Sequence, residues 1–67
     1  MAKRIAIRIQ RLPEGVYLAT SRDLPGLTVE GDTQQEAERI AAEVALDLLE
    51  VEQGKPVEPA SFRFVFD

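Results

Sequence analysis

The sequence predicts a small α+β domain, in which an antiparallel sheet carries one helix on one face in the order β-β-β-α-β. Three observations predict this class. Residues 5–10 alternate between apolar and polar side chains, residues 33–53 repeat apolar positions at helical spacing, and residues 60–67 alternate again with three phenylalanines. Because no linker, repeat or low-complexity segment interrupts the pattern, we expect a single domain over residues 1–67.

The N-terminal part of the chain is predicted to be a three-stranded meander. Ile5, Ile7 and Ile9 share one face of the first strand and are expected in the core. Turn residues at 12–15 then lead to a second strand at 16–21, so the natural connection is an antiparallel hairpin. A third, short strand is predicted at 28–31.

A tight turn is predicted between the second and third strands. Pro25 fixes φ near about −65° and Gly26 can adopt a positive φ, which is the residue order of a type II turn. We therefore interpret Pro25 and Gly26 as residues that build the fold.

The helix has start and stop signals. Thr33 and Glu36 match a capping box, in which the threonine hydroxyl accepts from the Glu36 amide and the glutamate reaches back to the Thr33 amide. Asp32 is the rival N-cap, and either choice places negative charge at the positive end of the helix. Gly54, followed by Pro56, marks the C-terminal end.

The helix has more apolar positions than one core face requires. The predicted core stripe consists of Ala37, Ile40, Ala41, Val44, Leu48 and Val51. Ala42, Leu46 and Leu49 continue around the other flank, with Leu46 nearly opposite the centre of that stripe. Scattered apolar residues are common on protein surfaces. The alternative, which we favour, is a contact face for a partner or a second copy, because a chain this short has a small core.

An acidic ridge runs beside this flank. It consists of Glu36, Glu43, Asp47 and Glu50, relieved mainly by Arg39. Like charges at these spacings cost a few tenths of a kcal/mol each. Solubility is one explanation of the ridge, and contact with a basic partner is the other.

Composition excludes most catalytic chemistry. The chain contains neither cysteine nor histidine, which excludes disulfides, zinc sites with soft ligands and the usual nucleophile and base pairs. A two-metal nuclease would need carboxylates on central strands, but the first predicted strand has none. The isolated glycines form no phosphate-binding loop. We therefore predict no catalytic, metal or cofactor residues, and a protein that is not an enzyme.

Charge and size bear on partners and location. The net charge of −4 argues against nucleic acid as the main partner, although residues 1–11 contain four bases and no acid. Basic residues on a strand also protect sheet edges from aggregation, and we favour that explanation. Without a membrane-spanning stretch or signal peptide, the expected location is the cytoplasm. A core this small predicts a homo-oligomer, either a dimer or a tetramer.

Several motifs recur at a joint spacing: Tyr17, Ala19, Asp23-Leu24-Pro25-Gly26, Gly31-Asp32-Thr33 and Glu36-Ala37. Together they resemble the HicB-like antitoxin family over about residues 5–52. The resemblance implies a partial ribonuclease H-like fold without a catalytic centre, and a function in which the protein binds and neutralises a small basic HicA-like ribonuclease toxin by direct contact.

The sequence departs from the full-length pattern of that family, because it ends at Asp67 without the C-terminal DNA-binding domain. It resembles the short, solitary members, so we do not expect direct DNA binding. The alternative function is a free-standing homo-oligomeric domain without a cognate toxin, which binds a small ligand or scaffolds another protein.

Overall fold

The computed structural model describes residues 2–67 and has the predicted α+β class and element order. The elements are β1 (Lys3–Arg11), β2 (Tyr17–Thr20), β3 (Thr28–Gly31), α1 (Gln34–Gln53), a 3-10 turn at Pro59–Ser61, and β4 (Phe62–Phe66). The four strands within the described residues form one sheet in the order β3-β2-β1-β4.

The sheet is mixed, so the prediction of a wholly antiparallel sheet is wrong at one pair. β1 and β2, and β2 and β3, are antiparallel, whereas β4 is parallel to β1, with Ile5 beside Phe64. The reason lies in the helical connection. The helix returns the chain across the sheet before β4 begins, and a crossover of this kind is what a parallel pair requires.

The predicted hairpin between β1 and β2 is confirmed. The Gly15 amide donates to the Leu12 carbonyl at 2.9 Å, and the Leu12 amide donates to the Val16 carbonyl at 2.8 Å. Gly15 has a φ of 97°, which lies in the region that glycine adopts without a steric penalty. A turn closed by such a glycine keeps the two strands in register.

The turn before β3 reverses the chain as predicted, but it is not of type II. The Leu27 amide donates to the Leu24 carbonyl at 2.9 Å, while Gly26 does not have a positive φ. Leu24 and Leu27 are both buried, and Pro25 and Gly26 lie exposed at the tip. The two leucines therefore anchor the turn in the core, and a type I conformation satisfies the same hydrogen bond.

Thr33, and not Asp32, is the N-cap of the helix. Its hydroxyl oxygen accepts from the Glu36 amide at 3.0 Å. The Glu36 carboxylate accepts from the Asp32 amide at 3.2 Å, one residue earlier than predicted. At the other end, Gly54 has a φ of 71° and its amide donates to the Glu50 carbonyl at 2.8 Å, which confirms the predicted stop.

The buried face of the helix is rotated relative to the predicted stripe. Its buried residues are Ala37, Ala41, Ala45 and Leu49. Of the predicted core residues, Ile40, Val44 and Leu48 are only half-buried, and Val51 is 81% exposed.

Close approach of the helix to β3 explains this rotation. A Cβ atom on Gly31 would lie only 2.6 Å from the Ala37 backbone nitrogen. At such a short separation, alanines fit between helix and sheet and larger side chains do not. The ridge of small residues therefore faces the sheet, and the larger apolar residues lie on the flanks.

The core lies between the helix and the β3, β2 and β1 side of the sheet. It is built from Ile5, Ile7, Ala19, Leu24, Leu27 and the buried helix residues, as predicted for Ile5 and Ile7. Ile9 packs at its margin. β4 forms the sheet edge farthest from β3, and its phenylalanines pack against the core while staying half-buried.

Candidate functional site

No metal-binding cluster is present among residues 2–67, because no three acidic side chains in that range lie close enough together to hold an ion. In the same range, no helix combines the length and the apolar character needed to cross a membrane. The candidate functional features are therefore surfaces, and we describe three of them.

The first surface is the acidic face of the helix, defined by Glu43 and Asp47. Both side chains are exposed. Each residue turns an α-helix by about 100°, so Glu43 lies on the opposite side from Ala41 and Ala45, which face the sheet. The structure thus places these two carboxylates on the side of the helix that does not pack against the sheet.

The other two acids of the predicted ridge have structural roles. Glu36 belongs to the helix cap, and the Glu50 carboxylate accepts from the Val57 amide at 3.2 Å. Both are half-buried. Glu43 pairs with Arg39 at 3.4 Å, but the two side chains are 67% and 62% exposed, so this ion pair is weak. Glu43 and Asp47 are the members of the ridge that remain accessible to a partner.

The second surface is an apolar flank formed by Ala42 and Leu46. Both are half-buried, whereas Leu49, which we also predicted on this flank, is 2% exposed and belongs to the core. The prediction for Leu49 is therefore wrong. Because the buried stripe is rotated toward Leu49, Leu46 lies beside the core face and not opposite to it.

This flank faces the side of the helix on which β4 lies. Around the helix, Leu46 falls between the buried Leu49 and Glu50, and Glu50 binds Val57 in the segment that leads to β4. Along β4, the half-buried ladder consists of Phe62, Phe64 and Phe66. The alternating sequence pattern places these phenylalanines on one face of a strand, and the structure shows that this face stays half-buried at the edge of the sheet.

The motif residues of the Asp-Leu-Pro-Gly segment build the fold and form no site. Asp23 accepts from the Ala6 amide at 2.8 Å through its carboxylate, and the Ser21 hydroxyl donates to the Ala6 carbonyl at 2.6 Å. The Asp23 amide donates to the Ser21 hydroxyl oxygen at 3.1 Å. Pro25 and Gly26 form the following turn, and Thr33 caps the helix.

The third surface is the basic outer face of the sheet, which points away from the helix. Arg4 and Arg8 lie on β1 at positions that alternate with the buried Ile5 and Ile7, and Arg63 lies beside Arg4 on β4. All three arginines are exposed. We interpreted the N-terminal bases as edge protection. β4 pairs with Lys3–Ile7 and β2 pairs with Arg8–Arg11, so each half of β1 has one side without a partner strand, and edge protection stays a prediction.

Comparison with known proteins identifies one family. Residues 6–67 match the model of the family described as "Domain of unknown function (DUF1902)". No curated protein and no solved structure matches the chain. The match extends from within β1 through β4, so it includes the first two surfaces and, of the third, Arg8 and Arg63 but not Arg4. On this match, the chain belongs to the DUF1902 family.

Proposed function

We propose that the protein is a non-catalytic binding module of the HicB-like antitoxin type, which neutralises a small basic HicA-like ribonuclease toxin by direct contact in the cytoplasm. The observation that carries this proposal is the exposure of Glu43 and Asp47 on the side of the helix opposite the core. Asp47 makes no hydrogen bond or ion pair within residues 2–67, and Glu43 makes only the weak, exposed pair with Arg39, so both are open to a partner.

Charge complementarity supports the choice of a basic partner. The chain has a net charge of −4, and two of its exposed carboxylates, Glu43 and Asp47, lie one turn apart on the outward face of the helix. Such a surface accelerates encounter with a basic protein and disfavours acidic ones. Charge alone does not specify which basic protein binds. The resemblance to HicB-like antitoxins, which rests on residues that build the fold, suggests a HicA-like toxin.

The neighbouring apolar flank supports a protein-protein interface on this part of the helix. Leu46 is half-buried and lies between the core face and the acidic face of the helix, one turn after Glu43. Interfaces commonly combine an apolar centre with a polar or charged rim. In this proposal Leu46 supplies part of the centre, and the two acids supply part of the rim.

Co-expression with the product of the neighbouring reading frame tests the proposal. We expect a small basic protein to co-purify with the chain, and its toxicity to growing cells to be relieved. The double variant Glu43→Lys/Asp47→Lys should lose both effects, because it reverses the charge of the acidic face.

A matched control reverses two exposed acids elsewhere. Glu14 lies in the β1–β2 turn and Glu30 on β3, and both are exposed. The double variant Glu14→Lys/Glu30→Lys changes the net charge equally and should keep binding the partner. Absence of any co-purifying basic protein, or equal loss in both double variants, would contradict the proposal.

A second candidate is a free-standing homo-oligomeric domain without a cognate toxin. The half-buried phenylalanine ladder on β4 favours it, because an edge strand with apolar side chains can associate with a second copy. A native mass measurement of the chain alone and with the neighbouring product separates the two. A stable homo-oligomer that forms no complex with the neighbouring gene product would favour this candidate.

A further inference from the structure

A cleft opens on the basic outer face of the sheet, beside the point where β2 leaves it. The register of the β1–β2 pair runs from Arg11 beside Tyr17 to Arg8 beside Thr20. If β2 continued, position 22 would come to lie beside Ala6. The strand ends instead, and the side chains of Ser21 and Asp23 satisfy the Ala6 backbone groups.

The cleft formed there has a volume of about 620 Å³. It is lined by Ala6, Arg8, Thr20, Ser21, Arg22 and Asp67. Sites for small molecules in proteins are typically about 300–1,000 Å³. Its size is thus appropriate for a small ligand.

Two arginines line this cleft, and Asp67 lies beside one of them, Arg8, because its backbone bonds to Ile7 and Ile9 continue the β1–β4 register. Neither Arg8 nor Arg22 forms an ion pair with a carboxylate among residues 2–67. Both side chains are exposed. Arg8 lies in β1 beside Thr20 of β2. Hydrogen bonds made by Ser21 and Asp23 fix the backbone on either side of Arg22.

The chemistry of the cleft is suited to an oxyanion. A guanidinium group presents several N–H donors in a planar fork that matches phosphate oxygens. The Thr20 hydroxyl makes no hydrogen bond within the described residues and can donate as well. The Ser21 hydroxyl is already used by Ala6 and Asp23, so the available donors are Arg8, Arg22 and Thr20.

A neighbouring pair of arginines adds positive charge to this face. The parallel register places Arg4 directly beside Arg63, on the same outer face as Arg8. Like charges directly opposite each other destabilise a strand pair. Together they raise the positive potential along the approach to the cleft.

We propose that this cleft binds a small molecule that carries a phosphate group, held by Arg8 and Arg22. Asp67 is also part of the lining, and its negative charge opposes a phosphate. The same residue disfavours a long polyanion such as a nucleic acid, which would place several phosphates near it. A compact ligand with one phosphate brings only a single phosphate near that carboxylate.

Amide chemical shifts of the full-length chain, titrated with inorganic phosphate and with glycerol phosphate, test the proposal. Saturable shifts should be centred on Arg8, Thr20 and Arg22, and sodium chloride at equal ionic strength should not reproduce them. Arg8→Gln and Arg22→Gln should each weaken binding by about tenfold, because each removes a charge-assisted hydrogen bond. Asp67→Asn should tighten it.

Arg11→Gln is the matched control, since Arg11 is an exposed arginine at the other end of β1 and does not line the cleft. It should leave the affinity unchanged. Shifts that rise linearly with salt, or equal losses in Arg11→Gln and Arg22→Gln, would overturn the proposal. So would a short single-stranded RNA that binds more tightly than glycerol phosphate and depends equally on Arg4 and Arg63, because that result would assign the whole face to nucleic acid.

Discussion

Asp23 accepts a hydrogen bond from the Ala6 amide at 2.8 Å, at the place where the backbone of a longer β2 would otherwise pair with β1. Together with the Ser21 hydroxyl, it continues the ladder with side-chain atoms. This allows the chain to leave the sheet early and turn toward Leu24 without leaving the Ala6 backbone groups unsatisfied. The acidic residue of the Asp-Leu-Pro-Gly segment therefore stabilises the fold.

Asp23→Ala should lower the free energy of unfolding by about 1–2 kcal/mol, because the half-buried Ala6 amide then loses its acceptor. Asp23→Asn should cost less, since the amide oxygen can still accept. Urea unfolding at matched protein concentration measures both. Glu14→Ala, which removes an exposed acid with no side-chain hydrogen bond among residues 2–67, serves as the control and should change stability little.

Two glycines should respond in opposite ways to alanine. Gly31→Ala places a Cβ atom 2.6 Å from the Ala37 nitrogen, a backbone atom that cannot move without shifting the helix, so we expect a loss of about 2–3 kcal/mol. Gly26→Ala meets only the Leu48 side chain, at 3.7 Å, which is an ordinary contact. It should be neutral or slightly stabilising, because alanine has less freedom in the unfolded chain.

Thermal unfolding of the two glycine variants provides the comparison. A Gly31→Ala protein as stable as the wild type would show that the helix does not approach β3 as closely as the geometry indicates. A large loss in Gly26→Ala would instead indicate that the turn requires a positive φ, as the type II prediction assumed.

The sequence was sufficient to predict the elements, because alternation and capping are local properties. It was not sufficient to orient the helix. Hydrophobic periodicity gives more weight to Ile40 and Val51 than to Ala45, yet Ala45 is buried and Val51 is exposed. The decisive factor is the separation between helix and sheet, set by the close approach of Gly31 to the helix, and this is a tertiary property.

The candidate surfaces follow the same rule: features set by local geometry were predictable, and features set by tertiary structure were not. Glu43 and Asp47 were identified correctly as outward, because helix geometry alone fixes their relation to Ala41. The cleft was missed, since it depends on the register between β1 and β2 and on the side chains that replace the end of β2. Its signal in the sequence was the cluster of bases on β1.

The helix cap should contribute through both of its side chains. Thr33→Ala removes the acceptor of the Glu36 amide and should cost about 1 kcal/mol. Glu36→Ala removes the acceptor of the Asp32 amide and should cost less, because that amide is exposed to water. A double-mutant cycle in urea measures their coupling, and we expect the two losses to be less than additive, since both bonds hold the same turn.

Substitution of the two neighbouring leucines should separate association from folding. Leu46→Glu should preserve the circular dichroism spectrum and weaken self-association or partner binding by about tenfold, because the half-buried side chain supplies apolar contact area. Leu49→Glu should unfold the chain, since it forces a carboxylate into a site that is only 2% exposed. Analytical ultracentrifugation at micromolar concentration measures the first effect.

Val51→Glu is the control for this pair, because Val51 is 81% exposed and lies on the opposite flank of the helix from Leu46. It should leave both fold and association unchanged if contact is made through the Leu46 side, which faces β4. A wild type that is monomeric at micromolar concentration and binds no partner would remove the basis for an interface at Leu46. Equal weakening by Val51→Glu and Leu46→Glu would instead place the contact at the C-terminal end of the helix.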